Sequence, residues 1–152
     1  PKVRLLYTGG HADNPEFFEL LQQNDAHVVS DNTGFGTRAA DVLIREDGDP
    51  LEAIIDYYFE EKPAATRQMG TQVERMERLL DLVKQYKADG VVASRLYMCD
   101  LWAFEHFLMR KRLHENNVPF LELEVDYTPE GQGQIKTRVQ AFVESLADRQ
   151  TA

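Results

Sequence analysis

The stretch VVASRLYMCDLWAFEHF (residues 91–107) runs from a short apolar segment into a helix-like segment, and it contains the only cysteine of the chain, Cys99. A buried strand followed at once by a helix is the unit from which parallel α/β sheets are built. In such sheets, ligands bind at the carboxyl ends of the strands, where loops meet helix N-termini. The stretch therefore predicts an α/β fold and places Cys99 at its functional edge.

The rest of the chain repeats this alternation of strand and helix. Apolar runs predict strands near residues 2–8, 26–30, 90–94 and 118–124. Helix starts are indicated by Asn14 before Pro15 and by Asp49 before Pro50. Glycines 34 and 36 favour a loop over residues 32–38. We therefore expect right-handed βαβ units in a three-layer α/β fold, with about four mostly parallel strands and helices on both faces.

The sequence pattern predicts which residues of three helices face the core. We expect Trp102 and Phe104 to pack the helix after Cys99 onto the sheet. The spacing of apolar residues predicts the inner faces of two further helices. The first has Val73, Met76, Leu79, Leu80, Val83 and Tyr86, and the second has Ile135, Val139, Phe142, Val143 and Leu146.

Length and composition indicate one globular α/β domain over residues 1–152, with 43% hydrophobic residues. No apolar run reaches the 18 or so residues of a membrane span, and no leader pattern is visible, so we expect a soluble protein with no membrane association. The chain begins with Pro1 instead of Met. The chain is therefore predicted to be a C-terminal fragment of a longer subunit.

Charge and cysteine content exclude several classes of protein. Seventeen basic and 26 acidic residues give a formal net charge of −9, and the basic residues are scattered along the chain. Nucleic-acid binding needs clustered Lys and Arg, so it is not expected. A single cysteine excludes an internal disulfide framework and favours a reducing, cytoplasmic location.

The sequence pattern leaves three interpretations of Cys99 open. A lone cysteine is often a small, half-buried hydrophobic residue. At a helix N-terminus, however, the dipole stabilises a thiolate, which can attack an electrophile or bind a metal. A nucleophilic cysteine needs a base, for which His11 is the candidate. This pair would indicate a hydrolase. A metal ligand needs partners that this chain does not contain.

Residues 87–146 carry three motifs that resemble the C-terminal segment of the 2-hydroxyglutaryl-CoA dehydratase and benzoyl-CoA reductase family. The motifs are Cys-Asp-x-Trp at residues 99–102, Glu-x-Asp-Tyr at residues 124–127, and Gly-Gln-x-x-Thr-Arg-x-x-Ala-Phe-x-Glu at residues 133–144. Two positions depart from the family pattern. Leu101 stands where many relatives have proline, and Thr33 or Gly34 stands where many have a further cysteine.

The resemblance implies an iron–sulfur enzyme. Family members hold a [4Fe-4S] cluster with three cysteines, so Cys99 would be one metal ligand and a preceding domain would supply the others. One cysteine cannot hold a cubane, and no cluster is expected in the isolated chain. The implied reaction is a radical dehydration (lyase) or reduction of an acyl-CoA thioester under anaerobic conditions. The implied partners are a second dehydratase or reductase subunit and an ATP-dependent activator protein.

Four residues at the predicted carboxyl edge are candidates for contact with the acyl-CoA substrate. Arg38 and Arg95 could bind its anionic groups, although a surface arginine usually has no such role. Gly9 and Gly10 permit close approach of a ligand to the backbone, although a turn needs the same property. The alternative function is a non-catalytic α/β module that binds a small molecule or a partner subunit.

Overall fold

The computed structural model describes residues 3–10, 14–23, 25–126 and 132–151. Within them, a four-stranded sheet has the order β2-β1-β3-β4, and every neighbouring pair is parallel. The strands are β1 (Val3–Gly9), β2 (Ala26–Asn32), β3 (Gly90–Leu96) and β4 (Phe120–Val125). The predicted α/β class, the parallel sheet and the number of strands are confirmed.

Helical segments follow each strand. They are α1 (Pro15–Leu21), α2 (Thr37–Ala40), α3 (Pro50–Asp56), a π-helix (Tyr57–Glu61), α4 (Gln72–Gln85), α5 (Asp100–Glu115) and α6 (Gln132–Thr151). The two predicted caps are confirmed: Asn14 Oδ1 accepts a hydrogen bond from the Glu16 amide at 2.9 Å, and Asp49 Oδ1 accepts one from the Leu51 amide at 2.7 Å. None of the described helices is long and apolar enough to cross a membrane.

Two cores lie on opposite faces of the sheet, because successive strand residues point to opposite sides. On one face, Leu5 and Val92 pack with Leu21 of α1 and with the inner residues of α6. On the other face, Leu6 and Val91 pack with the inner residues of α4 and α5. The inner residues of α6 are Val139, Val143 and Leu146, as predicted from their spacing. This is the three-layer arrangement expected from the sequence.

The strand order creates a topological switch point between the two central strands. After β1 the chain turns to β2 on one side, and later it returns to β3 on the other side. The connections therefore diverge at the carboxyl ends of β1 and β3, the position at which α/β proteins commonly bind ligands. Residues Gly9 and Gly10 from β1, and the segment from Ser94 to Cys99 after β3, lie at this point.

Three local predictions are wrong. Val73 and Phe104 were assigned to the core, yet both are exposed: Val73 lies in the first turn of α4, outside the inner stripe, and Phe104 faces away from the sheet beside buried Glu105. The loop predicted over residues 32–38 contains the first two residues of α2. There, Asp31 accepts hydrogen bonds from the amide and hydroxyl of Thr37, which order the backbone despite the glycines.

Candidate functional site

Cys99 occupies the N-cap of α5, immediately beyond the carboxyl end of β3. Its carbonyl accepts the first helical hydrogen bond, from the Ala103 amide at 3.0 Å, and its own amide donates to the Leu96 carbonyl at 3.1 Å. The thiol makes no capping hydrogen bond within the described part of the chain and is partly exposed. The sulfur therefore sits at the positive end of a 16-residue helix and is accessible to a ligand.

Gly9 and Gly10 bring β1 into close contact with β3 and α5. The Gly10 amide donates to the Ser94 carbonyl at 3.1 Å, and Gly9 has φ of +149°. A Cβ on Gly9 would overlap the Ser94 carbonyl, and one on Gly10 would overlap the indole of Trp102. Packing therefore explains both glycines without a ligand, and their predicted contact with substrate stays a prediction.

A buried hydroxyl pair lies directly beneath this edge. The phenol of Tyr7, on β1, hydrogen-bonds the hydroxyl of Ser94, on β3, and both residues are fully buried. Burial raises the pKa of the Tyr7 phenol to about 12, an effect that the hydrogen bond to Ser94 opposes. The phenol therefore remains protonated at neutral pH and acts as a fixed link between the two central strands.

Arg38 lies in α2, beyond the end of β2. Burial lowers the pKa of its guanidinium, and the nearby charges of Arg78 and Arg75 lower it further. Glu105 and Asp31 attract it electrostatically, yet no described carboxylate forms an ion pair with it. Arg38 is thus a half-buried cation with free donors, which suits an anionic ligand.

Unlike Arg38, Arg95 is ion-paired, because two carboxylates of β4 bind it. It forms ion pairs with Glu122, at 3.4 Å, and with Glu124. Glu122 also pairs with Arg110, and its Oε1 lies 3.5 Å from Nδ1 of buried His106. A substrate anion at Arg95 would have to compete with these carboxylates. Glu122 and Glu124, which alternate along β4, hold this arginine in place.

A buried ion pair fixes the helix that carries Cys99. Arg75 of α4 binds Glu105 of α5 through two hydrogen bonds of 2.8 Å, Nε to Oε1 and Nη2 to Oε2. Arg75 also donates through Nη1 to the hydroxyl of Thr71 and to the carbonyls of Ala65 and Gln68. Sequence reasoning missed this pair, since nothing local relates two residues 30 positions apart.

Asp31 organises the end of β2 beside a cleft of about 430 Å³. Burial alone would raise the pKa of its carboxyl, but hydrogen bonds from Thr33 and Thr37 outweigh burial and lower the pKa. The ionised carboxylate makes the cleft unfavourable for a phosphate. Cys99 is not among the residues that line it.

The structure brings Gly9, Gly10 and Cys99 to one edge. Arg38 lies in α2, after β2, and Arg95 lies near the end of β3. His11, the candidate base for a hydrolase, and Tyr127 of the second motif lie outside the described residues. Within the described ranges, no group of three or more His, Cys, Asp or Glu side chains could hold a metal ion. Cys99 is therefore a single potential ligand at the switch point of a parallel α/β protein.

A family model gives this class of protein a more specific assignment. The model described as 2-hydroxyglutaryl-CoA dehydratase, D-component, matches residues 1–146, so the chain belongs to that family. The resemblance inferred from the three motifs is confirmed.

Similar proteins support the same assignment. The proposed dehydratase subunit YjiM of Escherichia coli (strain K12) is 29% identical over 151 residues, which is 96% of this chain and 38% of that protein. The (R)-phenyllactyl-CoA dehydratase beta subunit of Clostridium sporogenes is 25% identical over 94% of this chain and 38% of its own length. The beta subunit of (R)-2-hydroxyglutaryl-CoA dehydratase from Acidaminococcus fermentans is 25% identical over 87% of this chain and 36% of its own length. The chain thus spans under two fifths of the length of these relatives.

Proposed function

We propose that this chain is part of a beta-type subunit of a 2-hydroxyacyl-CoA dehydratase, in which Cys99 supplies one thiolate to a [4Fe-4S] cluster. The observation that carries the proposal is the position of Cys99, the only cysteine, at the N-cap of α5 and at the switch point of the sheet. Dehydration is proposed in preference to ring reduction because the relatives with named reactions are dehydratase subunits.

The donor set fits a shared cluster site. The thiol of Cys99 is partly exposed and makes no capping hydrogen bond to the described residues, so it is available to iron. The thiolate is the form of cysteine that binds iron. The remaining thiolates must come from other residues of the enzyme, since this sequence has one cysteine. When bound, the cluster supplies one-electron chemistry to the acyl-CoA substrate.

The proposed roles of the residues around Cys99 are to position its helix and to bind the substrate. The ion pair between Arg75 and Glu105 holds α5 against α4, and with it the N-cap backbone of Cys99. Arg38 is proposed to bind an anionic group of the acyl-CoA, because it is a half-buried cation without an ion-pair partner among the described residues. Arg95 is the weaker of the two arginine candidates, since Glu122 and Glu124 hold it.

Two protein partners belong to this proposal. The relatives named beta subunits imply a companion subunit, and one-electron chemistry requires an electron donor, for which we propose an ATP-dependent activator protein.

The test is Cys99→Ser in the complete subunit, purified without oxygen. We expect most of the cluster iron and the dehydratase turnover to be lost, because a serine oxygen is a harder ligand than a thiolate. The thermal midpoint should change little, since serine is favoured at an N-cap. Iron per subunit and the thermal midpoint are measured on the same sample.

Tyr97→Ser, at an exposed neighbouring position, is the matched control and should retain its iron. If Cys99 is only a packing residue, the result for iron reverses. Iron per subunit would then be unchanged, and the thermal midpoint would again change little, because Cys99 is only partly buried and serine is favoured at an N-cap. A normal cluster in Cys99→Ser would refute the proposal.

A further inference from the structure

Among the described residues, the helical segment formed by α3 and the π-helix packs against the rest of the fold through its buried side. Its buried residues are Ala53 and Tyr57, four positions apart on one helix face. The Tyr57 hydroxyl donates to the Ala39 carbonyl at 3.1 Å, which ties the segment to α2. The rest of its surface faces away from this contact.

The opposite side of the segment is apolar. Leu51, Ile54, Ile55 and Tyr58 have exposed fractions between 43% and 66%, and Phe59, next to them, is more exposed still. The first four have the spacing i, i+3, i+4 and i+7, which places them on one stripe. The stripe formed by these four residues is called here the α3 face. Large apolar residues at this spacing are the usual anchors of a helix that binds in a groove of another protein.

The charged residues within α3 and the π-helix are acidic, and two basic side chains contact the segment from outside it. Residues 50–61 contain four acidic side chains, Glu52, Asp56, Glu60 and Glu61, and no basic one. One of the two basic side chains is Lys62, whose ammonium lies 4.8 Å from the centre of the Tyr58 ring. The other is Arg45, from the loop before α3, which pairs with Asp56 at 3.1 Å. Two copies of the α3 face packed together would bring acidic rims into contact, and an anionic membrane surface would repel them. A groove with basic rims is therefore the complementary surface.

We propose that the α3 face binds in an apolar groove, rimmed by Lys and Arg, on the companion subunit of the dehydratase. The identity of the companion rests on the function proposed above. The location of the contact and its chemistry rest on the exposure, spacing and charge of α3. The ion pair between Arg45 and Asp56 leaves Glu52, Glu60 and Glu61 as the carboxylates that would meet the basic rim.

The experiment is site-specific crosslinking in the complete complex from the native host. A photoreactive benzoylphenylalanine replaces Tyr58, and in the control it replaces Lys136, which is exposed on α6. We expect Tyr58, and not Lys136, to crosslink to the companion subunit, identified by mass spectrometry. A crosslink to a second copy of the chain, to lipid, or to another part of the same chain would overturn the proposal, as would equal yields at the two positions.

Charge reversal tests the chemistry of the groove. Glu52→Lys with Glu60→Lys should weaken subunit association at least about tenfold, which corresponds to roughly 1.4 kcal/mol. Glu144→Lys, at an exposed position on α6, is the control and should leave association unchanged. Circular dichroism verifies that each variant is folded. If the double variant associates as well as the unmodified chain, the proposal that the groove has a basic rim is wrong.

The two proposals fail in different ways. A complex that assembles with companion and iron, but without a crosslink from Tyr58, overturns the docking surface alone. A crosslink from Tyr58 to a protein that is not a dehydratase subunit overturns the docking proposal and the proposed function together. Retention of iron in Cys99→Ser overturns only the cluster function, since the crosslink does not depend on it.

Discussion

Removing the carboxylate of Glu105 should strongly destabilise the fold, because Arg75 would remain as a buried charge without its counter-ion. The side chains of this pair are only 7% and 4% exposed, for Arg75 and Glu105, and two hydrogen bonds of 2.8 Å join them. The same two helices also carry an exposed pair, Arg112 with Glu77, whose side chains are 40% and 48% exposed. That pair provides an internal control on the same interface.

The magnitude follows from the contacts. Glu105→Ala removes two hydrogen bonds to a charged group, at about 1.5–3 kcal/mol each. Loss of one member of a buried ion pair typically costs about 3–5 kcal/mol. The remaining donations from Arg75 to Thr71, Ala65 and Gln68 keep the loss within that range. A loss of this size lowers the thermal midpoint of a chain of this length by roughly 10 °C.

The assay is urea denaturation of the 152-residue chain, followed by circular dichroism. Glu77→Ala should cost no more than about 1 kcal/mol, because exposed pairs contribute little. Replacing the buried pair together, as Arg75→Met with Glu105→Leu, should recover most of the loss, since no charge is then left unpaired. Equal losses for Glu105→Ala and Glu77→Ala would refute the reasoning.

Two further variants test the packing of Gly10 against Trp102 and the burial of His106. Gly10→Ala should lower the free energy of unfolding by about 1–3 kcal/mol, because the new methyl overlaps the indole of Trp102. It should also shift the fluorescence of Trp102, the single tryptophan. Gly133→Ala is the control: this position in α6 has open space around it, so the change should be neutral or stabilising. Burial lowers the pKa of His106 below its ordinary value of 6.5. Below pH 6.5 the unfolded chain therefore binds a proton that the folded chain does not, and the free energy of unfolding decreases as the pH is lowered. His106→Leu should flatten this dependence in urea titrations at pH 7.5 and 5.5, and an unchanged slope would contradict the assignment.

Local chemistry explains which parts of the fold were predictable. Caps such as Asn14 and Asp49 act on the next two residues of the chain, and strand alternation is a property of neighbouring positions. The position of Cys99 followed from the same logic, since the end of an apolar run predicts the end of a buried strand. These features depend on sequence neighbours, so the sequence pattern was sufficient to locate them.

Features that depend on distant residues were not predictable in the same way. Phe104 belongs to an apolar-rich stretch, but buried Glu105 beside it is held by an arginine from another helix, and Phe104 then faces outward. His106 is fully buried between Trp102 and Phe120, although a histidine on a charged helix gives no such signal. The contribution of tertiary packing exceeds local preference at each of these positions.

The exposed apolar residues near Cys99 are consistent with a site that is completed by other protein. Met98 immediately precedes Cys99, and Leu101 and Phe104 follow it in the first turns of α5; all three are exposed. Large apolar side chains that are exposed at nearby positions often mark a contact with other protein. One thiolate cannot hold a cubane, so further ligands would have to approach Cys99 across this surface. Covering Met98, Leu101 and Phe104 would at the same time shield the proposed cluster from water, and this links the exposed residues to the proposed role of the thiol.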